Sequence, residues 1–284
     1  MKKKISCLIM CAMSCAAVAQ TTGQETGHTW IDLGLPSGVK WATANIGASL
    51  PQDDGSYYAW GETALKTDFR WATYTHVAGQ NSLTKYSGSD GLLSLDATDD
   101  VASCAWGVTW RVPTKDEWGE LLEHCVWTWT DDYDKTGVAG YVVKSKSGDA
   151  SMFLPAAGCR YAGMINEKGV HGYYWSSSLY HTSSSYSGSA YQLQFIQACV
   201  KSDWNHARYY GSSVRGVCKP QPATGVNTIQ TDRSIYAIGG RIYCEGQCRI
   251  YDIYGRDMTQ QNGSLPKGVY VVQSGSRREK IRVS

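Results

Sequence analysis

Apolar positions change period along this chain, and the changes mark its elements. Trp118, Leu121, Leu122 and Cys125 recur at i, i+3, i+4 and i+7, one stripe of an amphipathic helix. Thr114 stands three residues before Glu117, the spacing of a capping box in which hydroxyl and carboxylate each satisfy a free backbone N–H. Pro113 disfavours helix at Val112, and Asp116 and Glu117 complement the positive helix end. A helix from Lys115 to about His124 is therefore predicted, and it is the only strongly periodic one.

Elsewhere the pattern shortens to runs of three to eight residues between turn signals, which favours strands and loops. Thr29 to Leu33 and Val39 to Ala42 flank a Pro36-Ser37-Gly38 turn. Tyr57 to Trp60 follows Asp53-Asp54-Gly55. Gly140 to Val143, Met152 to Leu154 and Gln192 to Phe195 read as strands, and Gly211 to Cys218 as a closing strand. Near the end, Arg249 to Gly255, Gly268 to Val272 and Lys280 to Val283 alternate cleanly, with a hairpin turn at Gln273 to Ser276, so a small antiparallel β-sandwich is expected.

The first residues read as a targeting segment. Lys2, Lys3 and Lys4 precede an apolar run from Ile5 to Ala16 and an A-x-A site at Ala17-Val18-Ala19. That run is too short to span a membrane, and no later run qualifies. The expected organisation is a signal peptide over 1–19, a polar lead over 20–27, a main domain over 28–219, a Pro-rich linker over 220–230 and a β domain over 231–284. Export to the cell surface or medium is expected; a lipid anchor on Cys15 is the lesser alternative, since Ala12-Met13-Ser14 lacks the expected Leu.

Without the three signal lysines, 24 basic residues face 25 acidic ones, a net charge of about −1. No basic stripe marks a nucleic-acid surface. The chain has 11 Trp and 19 Tyr against 3 Phe. Rings with a polar handle suit half-wet surfaces that contact a ligand, although most of the tryptophans are expected in the core. Seven cysteines lie beyond the signal, an odd number that leaves at least one unpaired within the chain. Cys244 and Cys248 flank a three-residue loop within disulfide reach; a metal pair is the competing reading. Connectivity is not legible from sequence, and Cys125 with Cys218 is a further candidate pair.

Residues 171–191 hold eight Ser and five Tyr, the composition of a binding loop built from rigid rings and small hydroxyls. Tyr173, Tyr174, Trp175, Tyr180, Tyr186 and Tyr191 are candidate ligand contacts there, with Trp204, Asn205, Tyr209 and Tyr210 just beyond. A solvated loop has the same composition, and Trp175 is equally suited to a core. No nucleophile elbow, zinc-protease helix or phosphate loop is present. His171, His181, His206 and Asp203 lie among serines, but their spacing defines no triad. Asp96, Asp99 and Asp100, with Asp90, form an acidic cluster that suits Ca²⁺, a helix N-terminus or a solvated loop. No other cofactor is expected.

Eight blocks carry a family resemblance: residues 31–42 (IDLGLPSGVKWA), 57–62 (YYAWGE), 83–86 (LTKY), 110–118 (WRVPTKDEW), 125–129 (CVWTW), 153–158 (FLPAAG), 173–178 (YYWSSS) and 210–218 (YGSSVRGVC). In order and over nearly the whole main domain, they resemble the Fibrobacter succinogenes major paralogous domain family, found in exported proteins of gut-type bacteria. More distantly, residues 111–118 (RVPTKDEW) resemble a segment of the formylglycine-generating-enzyme group. The resemblance implies an α+β, C-type-lectin-like domain with few helices, irregular loops and a twisted antiparallel sheet, its late Tyr/Ser loops on the ligand side. Two departures stand out. The formylglycine enzymes carry a late cysteine pair, whereas here Cys199 and Cys218 are far apart. Calcium-dependent lectins carry motifs that Asp203-Trp204-Asn205 does not reproduce. The tail, with residues 250–256 (IYDIYGR) and 265–272 (LPKGVYVV), resembles a type A sorting domain of the type IX secretion system and implies that machinery as a partner. The leading expectation is a surface-displayed or secreted, non-catalytic module that binds a glycan or protein. The alternatives are an oxidoreductase of the formylglycine-generating type using a late cysteine, and a structural subunit of a surface or fimbrial assembly.

Overall fold

A computed structural model describes residues 21–79, 82–181, 188–220, 236–238, 241–243, 248–274 and 277–283. The chain divides into two compact units, Met1–Gln221 and Pro222–Ser284. It is a β-rich α+β protein whose strand ladders are antiparallel.

In the first unit, β1 (Thr22–Glu25), β2 (His28–Ile31) and β3 (Lys40–Ala42) are followed by the short pair β4 (Val77–Gly79) and β5 (Ser82–Leu83). Helix α1 (Val101–Trp106), β6 (Trp110–Arg111) and α2 (Lys115–His124) form the middle of the unit. Next come β7 (Cys125–Thr130), β8 (Gly140–Ser145), β9 (Ser151–Pro155) and the hairpin β10 (Cys159–Tyr161) with β11 (Met164–Asn166). The long strands β12 (Gly172–Leu179), β13 (Ser189–Ile196) and β14 (Cys199–Ala207) precede the closing β15 (Val217–Cys218). One five-stranded sheet runs β1-β2-β3-β15-β6, joining both ends of the unit; β7-β8-β9 and β12-β13-β14 form two three-stranded sheets.

Local chemistry accounts for α2. Thr114 accepts from Glu117 N–H at 3.2 Å, and Glu117 accepts from Thr114 N–H at 2.9 Å. Arg111 adds a two-pronged pair to Glu117, at 2.7 and 2.5 Å. Burial alone raises the Glu117 carboxyl, but the Arg111 pair and the Thr114 amide outweigh it and leave its pKa lowered. Trp118 and Leu121 are buried, as is Cys125 at the helix end.

Strand β12 lies between two cores. Tyr174 packs with Trp41, Trp118 and Phe195 in one, while Trp175 and Leu179 pack with Trp60, Trp110 and Val214 in the other. Successive strand residues face opposite sides, so a strand buried on both faces reads as a continuous aromatic run. Gly172 is required at its start, because a Cβ there would meet the Phe195 ring at 2.0 Å. The fully buried Arg215 guanidinium spans the same interior. It donates to Asn45 Oδ1 at 2.9 Å and to the carbonyls of Ala42 and Phe153 at 3.0 Å each.

Several expectations are corrected. The polar lead contains β1, paired with β2 over four residues through backbone ladder bonds, and Gly23 lies so close to the Trp30 ring that no side chain would fit there. Tyr57 to Trp60 forms no strand, only the Tyr58–Ser212 bridge, and the closing strand shortens to two residues. The candidate Cys125–Cys218 bridge is not formed. Both are free buried thiols, one leading into the β7-β8-β9 sheet and one held between β3 and β6.

The second unit has the short hairpin β16 (Tyr236–Ile238) and β17 (Arg241–Tyr243), and a sheet of β18 (Cys248–Asp252), β19 (Gly268–Ser274) and β20 (Arg277–Val283). Ile242, Ile250, Leu265, Tyr270, Val272 and Val283 form its core. Cys248 is disulfide-bonded; Cys244 lies outside the described residues.

Candidate functional site

The tyrosine candidates separate into two groups. Tyr173, Tyr174 and Trp175 lie on β12 and are buried. The Tyr174 hydroxyl donates to Pro155 O and the Trp175 indole N–H to Tyr58 O, each at 2.7 Å. Both polar handles are thus consumed inside the fold, and the expectation that Tyr174 and Trp175 contact ligand is corrected. Tyr180 and Tyr191 are half-buried against each other, centroids 5.2 Å apart, and the Lys115 ammonium lies 5.0 Å from the Tyr191 ring. Tyr186 lies outside the described residues. Asn205 is exposed on β14, and Trp204, 42% exposed, carries the Lys201 ammonium 5.3 Å from its ring centre.

The remaining tyrosines come together. After β14 the chain turns through a Tyr210 N–H bond to Ala207 O at 3.1 Å, placing Tyr209 and Tyr210 side by side. Tyr161, at the end of β10, stacks on Tyr210 with centroids 4.9 Å apart and planes 18° from parallel. Its turn is tight: Ala162 and Gly163 both take positive φ. Trp71 meets Tyr209 edge-on at 6.1 Å. From Tyr210, the rings of His206, Tyr173 and His171 continue the row at 4.1, 5.7 and 5.6 Å. A row of rings therefore runs from exposed Tyr161 past buried Tyr173 to partly exposed His171. Tyr161 is 39% exposed at its outer end, and Tyr209 and Tyr210 are half-buried beside it.

The far end, where Glu167 is exposed, carries the site's polar groups. Tyr173 donates to Glu167 Oε2 at 2.7 Å, and His171 Nδ1 lies 3.9 Å from the same oxygen. Burial lowers His206 to about 4, so its imidazole is neutral at neutral pH. Its Nδ1 is buried without a hydrogen-bond partner. Burial, reinforced by Glu167, raises the Cys159 thiol to about 11, and burial raises Tyr209 and Tyr210. A protonated thiol and neutral phenols do not form an activated nucleophile. The arrangement offers flat apolar ring faces edged by hydroxyls.

The other candidates are engaged elsewhere. Lys85 bridges Asp96 and Asp99 at 2.6 and 2.7 Å, and Tyr86 donates to Asp99 at 2.6 Å. Asp100 caps α1, accepting from Ser103 N–H at 3.0 Å and from Val112 N–H at 2.8 Å. No group of three or more metal-binding side chains occurs among the described residues. Cys199 is an exposed free thiol; Cys218 is buried, and burial pushes it up to about 12.

Tyr161 and Trp71 were missed by composition, which points to the dense Tyr/Ser stretch and not to isolated rings. The one available signal was Tyr161 next to Ala162-Gly163, an aromatic at a hairpin turn. No helix among the described residues is long and apolar enough to cross a membrane. No family model, curated protein or solved structure matches the chain.

Proposed function

We propose that the first unit is a non-catalytic binding module, of C-type-lectin-like architecture, on a surface-displayed or secreted protein. Its ligand is a glycan, held by the platform of Tyr161, Tyr209, Tyr210 and Trp71. The observation that carries this reading is the stacking of Tyr161 on Tyr210 at an exposed edge, continued by further rings. Stacked phenols present a broad apolar face at low entropic cost, with hydroxyls at the rim, which matches the C–H faces and hydroxyl edges of sugar rings. The lead Lys2 to Ala19 segment supports export, and the second unit serves as the sorting domain read by the type IX secretion machinery.

A glycan array probed with the full chain tests this. Tyr161→Ala combined with Tyr210→Ala is expected to weaken captured glycans at least about tenfold, as for two central aromatic anchors. Capture of glycans by the double variant at wild-type strength, with the fold intact, would overturn the assignment. Binding confined to proteins would replace the glycan with a protein ligand on the same rings.

A further inference from the structure

On other elements of the first unit, the β1–β2 turn, the segment after β3 and the end of α1 line a half-open surface pocket of about 320 Å³. Its walls include His28, Thr29, Thr43, Ala48, Ser49 and Trp106. The His28 imidazole is stacked on the Trp106 indole, centroids 4.2 Å apart and planes 20° from parallel. The three segments are locked together. Thr26 donates to Trp106 O at 2.5 Å, and Trp110 Nε1 donates to Glu25 O at 3.0 Å. Thr43 N–H donates to Thr29 O at 3.1 Å and Ile46 N–H to Val214 O at 2.9 Å. The pocket is therefore preformed.

Its chemistry is specific. Among the described residues, no Asp, Glu, Lys or Arg lines it, and burial lowers the pKa of His28, which favours the neutral ring. An ionic ligand would find no counter-charge. Among the described residues, the hydroxyls of Thr29 and Ser49 and both nitrogens of His28 meet no hydrogen-bond partner. A neutral imidazole presents one donor and one acceptor, and a hydroxyl presents both. The volume is at the small end of ligand pockets, which run from about 300 to 1,000 Å³, so it holds one ring and not a chain.

From these walls we infer that the pocket is a second ligand site, which takes a single uncharged sugar residue. It hydrogen-bonds hydroxyls through His28, Thr29 and Ser49, against the Trp106–His28 wall. The inference does not rest on the tyrosine platform, which uses other residues. Saturation-transfer NMR of the full chain with methyl glucoside, methyl galactoside, methyl mannoside and N-acetylglucosamine tests it, with glucuronate and glucosamine as charged controls. At least one neutral sugar is expected to receive saturation and to shift the His28 ring signals, and the charged controls are not. Ala48→Trp, which fills the pocket, and His28→Ala are each expected to weaken that signal at least tenfold. Tyr161→Ala with Tyr210→Ala is expected to leave it unchanged. Absence of transfer to all four neutral sugars, equal transfer to the charged ones, or persistence of the signal in the folded Ala48→Trp and His28→Ala variants would each overturn the inference. Loss of the signal only in the tyrosine variant would assign the sugar to the platform.

Discussion

Acidification is expected to weaken the first unit through one imidazole. His206 has an ordinary value of 6.5, lowered to about 4 by burial among Tyr173, Trp175 and Tyr210. The unfolded chain therefore binds the proton more readily than the folded one. A folded pKa below the unfolded value means that stability is full above about pH 6.5 and declines as the pH falls toward 4. At about 1.4 kcal/mol per unit, the loss amounts to about 2 kcal/mol at pH 5 and about 3 kcal/mol at pH 4. The assay is urea unfolding of the wild type and His206→Phe across this range, comparing midpoints at constant slope. Phenylalanine keeps a ring in the row and does not titrate. The other histidines and the carboxylates act equally in both proteins, so the difference between the two curves isolates His206. Parallel curves between about pH 7 and pH 4 would refute the assignment, as would an NMR titration of His206 near its ordinary value.

Arg215→Met leaves Asn45 Oδ1 and the carbonyls of Ala42 and Phe153 without their donor; a loss of about 3–5 kcal/mol is expected in urea unfolding, as for one broken partner of a buried polar network. Trp175→Ala opens a cavity in the second core and should cost about 3–5 kcal/mol, whereas a substitution with near-wild-type stability would place the ring outside the core. Arg111→Met removes both bonds to Glu117, and calorimetry should show a loss of about 1–2 kcal/mol, discounted because the arginine is partly exposed. Because the Glu117 carboxyl is held below its ordinary value, its stabilisation is present above the unfolded carboxylate pKa and is lost as the pH falls through the folded one. The Arg111→Met variant should show a shallower acid dependence there.

What was legible in the sequence was local. Helix α2 follows from Thr114, Glu117 and a four-residue stripe, and its observed span, Lys115–His124, is the predicted one. The alternation of residues 268–272 likewise gave a strand, which extends to Ser274. The failures occur where a distant contact decides. Tyr173-Tyr174-Trp175 has a loop-like composition, yet it is a strand because two separate cores claim its alternate side chains. Helix α1 is six residues long and weakly patterned; Asp100 holds it by capping Ser103 and tying Val112 alongside. At the candidate site, Tyr209 and Tyr210 were named, but Tyr161 and Trp71 reach them only through long-range packing. Disulfide connectivity followed the same rule, since Cys125 and Cys218 belong to different sheets.

Because β12 contributes to both cores, neither half of the first unit has a boundary along which it can open alone. Exposing its amides requires disrupting the packing around Trp118 and Trp60 together. Hydrogen exchange in that strand should then report global unfolding, while the hairpin bearing Tyr161 exchanges through smaller openings. The ring row crosses between these regimes. Its buried member, Tyr173, is fixed to the slowest-opening strand of the molecule, and its outer member is free to adjust to whatever docks on it.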